Sequence, residues 1–357
     1  MRMILTLNST PRRPVSWRAS RRMAGGIALT CALLATTACS GEQSENTPAT
    51  DAASGNAPQA VATTSIWADI TSRALCDAPV TALIPLGADP HSWEPSIRVT
   101  DDLTAADLVV HNGLDLEEGL ISALNSIDGS STRVVAVADL VGATADDDAD
   151  HDDTDGHNDH ADDDTDHDTD DDHDDHAHSG DDPHFWLDPV LVAETAELIA
   201  EAAIHAGWPE SVRDCATVYH DELMALDAEI SDAVATLDPS QRVLVTNHDA
   251  LGRYADRYGF TVAGTVLPST STLAEANAAD LAELADTMSA LGVRALFVDA
   301  QASDTDAQAL ARRLDDVTVV ELLTGSLTSG TDDGRDYIAL MRTNTTRIVT
   351  ALADPAT

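Results

Sequence analysis

From about residue 60 onward, apolar positions recur in two alternating rhythms. Short β-branched runs at 61–65, 81–84, 108–111 and 134–137 read as strands, and segments 67–75, 98–106 and 116–125 between them carry helical spacing. The alternation stops at Ala145 and resumes at Asp182. Two helical patterns follow, 190–205 and 211–237, and the second is long enough to act as a rigid spine. A second alternating set then places strands at 243–246, 261–266, 295–298 and 317–322, with helices at 250–258, 273–291, 307–314 and 336–352. Strand, helix, strand in this order predicts parallel βαβ units. The expectation is an α/β fold of two lobes, 61–210 and 238–357, joined by one long rigid helix over 211–237.

The segments that fall outside this rhythm have compositions of their own. Arginines at 12, 13, 18, 21 and 22 precede an apolar stretch over 23–35 and then Thr36-Thr37-Ala38-Cys39, the order of an export signal over 1–39. The apolar run is shorter than the ~20 residues that span a bilayer. Cys39 sits where cleavage would fall and is a candidate lipidation site, with a plainly secreted form as the alternative; Ser20-Arg21-Arg22 hints at twin-arginine export. Residues 40–60 read as a flexible tether. Of four cysteines, Cys76 and Cys215 remain in the body of the chain. Outside the cytoplasm an even pair suggests a disulfide, with two buried free thiols as the alternative.

Net charge is −44 and there is no lysine, which argues against nucleic acid as a partner. Residues 146–182 alone hold 20 aspartates and 7 histidines (His151, His157, His160, His167, His173, His176 and His178). With no apolar residue larger than alanine, that segment is expected to be a disordered loop. Imidazoles and carboxylates at this density suit weak, multiple Zn²⁺ capture beside a tighter site; a solvated acidic tract is the plainer reading.

Three other histidines fall where strands give way to helices or turns. They are His91 in Gly87-Ala88-Asp89-Pro90-His91-Ser92-Trp93-Glu94-Pro95, His184 in Asp182-Pro183-His184-Phe185-Trp186-Leu187-Asp188-Pro189, and His248 in Thr246-Asn247-His248-Asp249-Ala250. In parallel sheets, ligands gather at the carboxyl ends of strands. Three imidazoles suit Zn²⁺, whereas Mg²⁺, Ca²⁺ and Mn²⁺ favour oxygen-rich sets. Asp89, Glu94, Asp188 and Asp249 are candidates to orient the rings. His205 and His220 fall on predicted helices and read as structural. Proton competition for imidazole predicts that metal affinity falls as pH drops through ~6.5.

These three motifs, with the 337–344 segment Tyr-Ile-Ala-Leu-Met-Arg-Thr-Asn, resemble those of the zinc and manganese substrate-binding proteins of bacterial ABC importers, the cluster A-I metal-binding lipoproteins. The resemblance spans 61–352. It implies two α/β lobes, each with a four-stranded parallel sheet and flanking helices, one joining helix, little hinge motion, and a metal held between the lobes by His91, His184 and His248. Manganese-preferring members commonly carry a carboxylate at the third position, so His248 favours the zinc type. The family's fourth ligand is usually a carboxylate after the last strand, a place that Gly325 occupies here. Water, Asp299, a carboxylate from the acidic loop or a shifted alignment are the alternatives.

The reading that follows is an extracytoplasmic Zn²⁺-binding protein that delivers its ion to the permease of an ABC importer. It is expected to be a monomer anchored by lipidated Cys39 to the outer face of the cytoplasmic membrane. The alternatives are a manganese-binding protein of the same family, a secreted zinc hydrolase, or an extracellular zinc buffer or adhesin. No HExxH motif supports the hydrolase.

Overall fold

The computed structural model describes residues 57–127, 131–142, 182–314, 316–330 and 333–353. The export signal, Cys39, most of the tether and all seven loop histidines lie outside the described residues. In the first lobe, β1 (Ala60–Ala62), β2 (Val80–Ala82), β3 (Leu108–His111) and β4 (Arg133–Ala136) form a parallel sheet in the order β2-β1-β3-β4. In the second, β5 (Val243–Thr246), β6 (Thr261–Thr265), β7 (Ala295–Asp299) and β8 (Thr318–Leu322) repeat the pattern as β6-β5-β7-β8, again all parallel. Both sheets therefore change winding direction beside their first strand, the place where α/β folds open a crevice.

The crossovers of the first lobe use α1 (Ser65–Ala74), α2 (Arg98–Ala105) and α3 (Ile121–Ile127), and the short α4 (Val137–Leu140) follows the last strand. Helices α5 (Pro189–His205) and α6 (Val212–Val234) lead out of it. The second lobe is wrapped by α7 (Gly252–Tyr258), α8 (Ala278–Leu291), α9 (Thr305–Ala311) and α10 (Tyr337–Leu352).

Among the boundaries that differ from the sequence expectation, two have a clear capping reason and a third is a change of element type. The strand expected over 61–65 stops at Ala62, because the Thr64 side chain accepts the Trp67 amide at 3.1 Å and starts α1 instead. The helix expected from 273 begins at Ala278, where the Asn277 side chain caps the amides of Ala279 and Asp280. Val137, expected to end a strand, opens the short α4.

Buried residues of α6 fall at Val212, Ala216, Tyr219, Leu223, Leu226, Ile230 and Val234, a stripe with steps of three and four. That stripe lies in one apolar core that also includes Ala60 and Val110 of the first sheet, Val192 and Ile199 of α5, Leu244 and Phe297 of the second sheet and Leu340 of α10. The two lobes thus share a core through the spine. Asp227 on α6 receives both Arg257 Nε and Nη2, at 2.9 and 2.6 Å, and the Tyr258 hydroxyl at 3.1 Å, which pins the spine to α7. At the other end a disulfide joins Cys76, just after α1, to Cys215 in the first turn of α6, with Cα atoms 5.3 Å apart.

Candidate metal centre

His91 stands in the loop between β2 and α2, His184 just before the 3-10 turn Phe185–Leu187 that leads into α5, and His248 in the turn after β5. The fold brings these three rings together. Their donor nitrogens lie within 4.8 Å of one another, and among the described residues this is the group of histidine, cysteine and carboxylate donors able to share one ion. All three are buried, at 4, 2 and 2% exposure. Ring centroids are 5.2–5.9 Å apart.

The Nε2 atoms of His91 and His184 face each other at 3.2 Å. For Zn–N bonds of ~2.05 Å in a tetrahedron, the expected nitrogen separation is about 3.3 Å. Burial, and then the neighbouring His184, push His91 down to about 4. Burial and the two neighbouring imidazoles likewise hold His248 well below the ordinary histidine value. A neutral imidazole keeps a lone pair on one ring nitrogen, and a cation between the rings would be bound by those lone pairs.

Two partners fix how the rings are presented. Asp182 Oδ1 accepts from the backbone N–H of His184 at 2.9 Å and lies 2.8 Å from its Nδ1, which turns Nε2 toward the cluster. Hydrogen bonding to His184 holds Asp182 below the usual carboxylate range despite its burial. Asn247 Oδ1 lies 3.0 Å from His248 Nδ1. These differ from the orienting residues expected from sequence. Asp188 caps α5 at the Val190 amide, 2.9 Å away, and Asp89 accepts the backbone N–H of His91 at 3.0 Å rather than its ring. The signal for Asp182 was its place two residues before a histidine, where one tight turn lets a carboxylate reach both amide and ring.

Asp299, a sequence candidate for the fourth ligand, ends β7 and lines a small cavity with His248, yet it stands outside the three-histidine group. Burial pushes it up to about 6, while the Gln301 amide that it accepts at 2.8 Å works the other way. Gly325 lies against the first lobe: a Cβ built on it would meet Pro90 Cδ at 3.0 Å. A side chain at 325 would have to displace the proline that precedes His91.

The seam around the site is closely bonded. Trp186 Nε1 donates to the Thr324 carbonyl at 2.8 Å, and the Tyr337 hydroxyl donates to the Trp186 carbonyl at 2.7 Å. Ser326 Oγ accepts the Gly87 amide at 2.8 Å, and Thr272 Oγ1 donates to Asp89 Oδ2 at 2.7 Å. Every one of these bonds runs from one lobe to the other.

Comparison with known proteins agrees with this architecture. The family model described as ZnuA, zinc-uptake complex component A, periplasmic, matches residues 60–351. The chain is 28% identical over 312 residues to the zinc-binding protein TroA of Treponema pallidum, covering 85% of this chain and 91% of that one. It is also 28% identical over 283 residues to the manganese-binding lipoprotein MntA of Bacillus subtilis, covering 76% and 82%. The solved structure of the periplasmic zinc-binding protein TroA superposes with a TM-score of 0.68 at 27% identity, over 84% of this chain and all of that one.

Proposed function

The chain belongs to the zinc-uptake component A family of periplasmic solute-binding proteins, and on that premise we propose that it captures Zn²⁺ with His91, His184 and His248 and hands it to the permease of an ABC importer. As a member of that family it is a metal-binding solute-binding protein, not an enzyme.

The observation that carries zinc is the donor set: three buried imidazoles, with no carboxylate inside the 4.8 Å group. Nitrogen donors suit Zn²⁺, and Mn²⁺ favours oxygen. A manganese reading has support of its own in the relative named for manganese and in the buried carboxylate of Asp299 beside His248. Because Gly325 offers no side chain and Asp299 stands apart, water is the fourth ligand in this proposal.

The remaining assignments follow the same reading. Residues 1–39 direct export, Cys39 carries the lipid anchor, and 40–60 tether a monomer to the outer face of the membrane. The acidic histidine-rich segment 146–182 gathers Zn²⁺ beside the cleft.

Calorimetric titration of the metal-free protein is the test. We expect one tight Zn²⁺ site per chain, with Mn²⁺ weaker by roughly a hundredfold or more. His184→Ala should abolish the tight site. Equal affinity for the two ions, or a tight site that persists in His184→Ala, would overturn the assignment.

A further inference from the structure

His184 hangs on a peptide whose two polar groups are both held by side chains. Its N–H goes to Asp182, and the carbonyl on the other side of that peptide, belonging to Pro183, accepts from Asn112 Nδ2 at 2.9 Å. Asn112 is completely buried, so its carboxamide must be satisfied within the protein. The second Nδ2 hydrogen goes to the Gly113 carbonyl at 2.9 Å, and Oδ1 accepts from Trp67 Nε1 at 2.8 Å. The Asn112 amide N–H donates to Glu117 Oε1 at 2.9 Å, and the same oxygen accepts a short bond from the Thr63 hydroxyl.

Turning the chain so that Glu117 comes back to Asn112 takes an unusual backbone. Gly113, Leu114 and Asp115 are three consecutive left-handed residues, with φ of 87°, 51° and 55°. For the two that are not glycine, such conformations are strained and persist only where surrounding structure over-determines them. Gly113 is also closed to any side chain, since a Cβ there would meet Ala138 Cβ at 2.9 Å. None of these groups belongs to the three-histidine group itself. One hydrogen bond, from the Asn112 carboxamide to the Pro183 carbonyl, ties the turn directly to the peptide that carries His184.

We propose that Asn112 is a positioning residue for metal capture: the strained turn after β3 locks its carboxamide, and the carboxamide fixes the Pro183–His184 peptide so that His184 Nε2 meets His91 Nε2 without reorganisation. The inference rests on the reading of His184 as a metal ligand. Groups that orient a ligand from behind typically account for 10–100-fold in metal affinity.

The test compares Asn112→Leu, which keeps the branching and the number of side-chain heavy atoms and removes both donors and the acceptor, with Asn112→Ser, whose smaller side chain retains a polar group in case the larger change impairs folding. Leu226→Ala on the buried stripe of α6 is the control for stability alone. Zn²⁺ affinity is read by competition with a chromogenic chelator, melting temperature on the metal-free proteins, and site geometry from the visible absorption of each protein loaded with Co²⁺ alone. The expected result is a 10–100-fold loss of Zn²⁺ affinity and an altered Co²⁺ band in the Asn112 variants. Leu226→Ala should lose melting temperature and keep both. Wild-type affinity and an unchanged Co²⁺ band in both Asn112 variants would overturn the inference while leaving the metal site standing. Absence of Zn²⁺ binding by the wild-type protein would overturn both.

Discussion

The side chains that do the chemistry here are set by their surroundings more than by their type. An exposed histidine gains its proton near 6.5, but burial and a neighbouring imidazole push His91 down to about 4 and keep His248 well below its ordinary value. A depressed value means that the ring stays neutral, and able to bind metal, to a lower pH. The simple expectation of affinity falling through ~6.5 therefore needs revising for these two ligands. Protons should compete for His91 and His248 only at a lower pH than for an exposed imidazole, for His91 near about 4. Following the ring proton signals of His91 and His248 in the metal-free protein between pH 7.5 and 4 checks this, and titration of either ring at 6.5 would contradict it. The sequence displayed the three clustered histidines because each sits in a short turn-rich motif. It did not display Asp182, Asn247 or Asn112 as their supports, because any polar residue nearby could have served until the turns fixed which atoms meet.

At the scale of elements, local chemistry carried most of the pattern. Strand β5 lies where its apolar run predicted, α5 starts at the proline after Asp188, and α6 follows its apolar stripe. What local pattern missed were starts decided by caps, as at Thr64 and Asn277. Pairing between elements is a separate matter. Cys76 and Cys215 are 139 residues apart, and only the packing of α1 on α6 brings them together. Closing a loop of that length constrains the unfolded chain, so replacing both cysteines by serine should cost about 2–5 kcal/mol of stability. Because neither cysteine belongs to the three-histidine group, Zn²⁺ affinity should stay at the wild-type value. Denaturant unfolding and chelator competition on the same variant separate the two effects.

For the whole molecule, the shared core and the bonded seam predict stiffness. Core residues of both sheets meet across α5 and α6, and Trp186, Tyr337, Thr272 and Ser326 tie lobe to lobe around the metal cluster. Metal capture should therefore leave the radius of gyration of the protein lacking 146–181, a deletion that keeps Asp182, unchanged within the error of small-angle scattering, with one tight Zn²⁺ site retained. A compaction of the kind seen when hinged domains close around a ligand would count against this. The sequence by itself determined the alternation of strands and helices, the two-lobe division, the acidic balance and the three histidines, since each is written in neighbouring residues and in side-chain chemistry. Tertiary structure alone decided that His91 and His184, 93 residues apart, face each other at 3.2 Å, that Asp299 stands outside their group, and that Gly325 packs on Pro90 where a fourth ligand would otherwise project. Those outcomes depend on how two sheets dock through a common core, and contacts between distant segments leave no periodic trace along the chain.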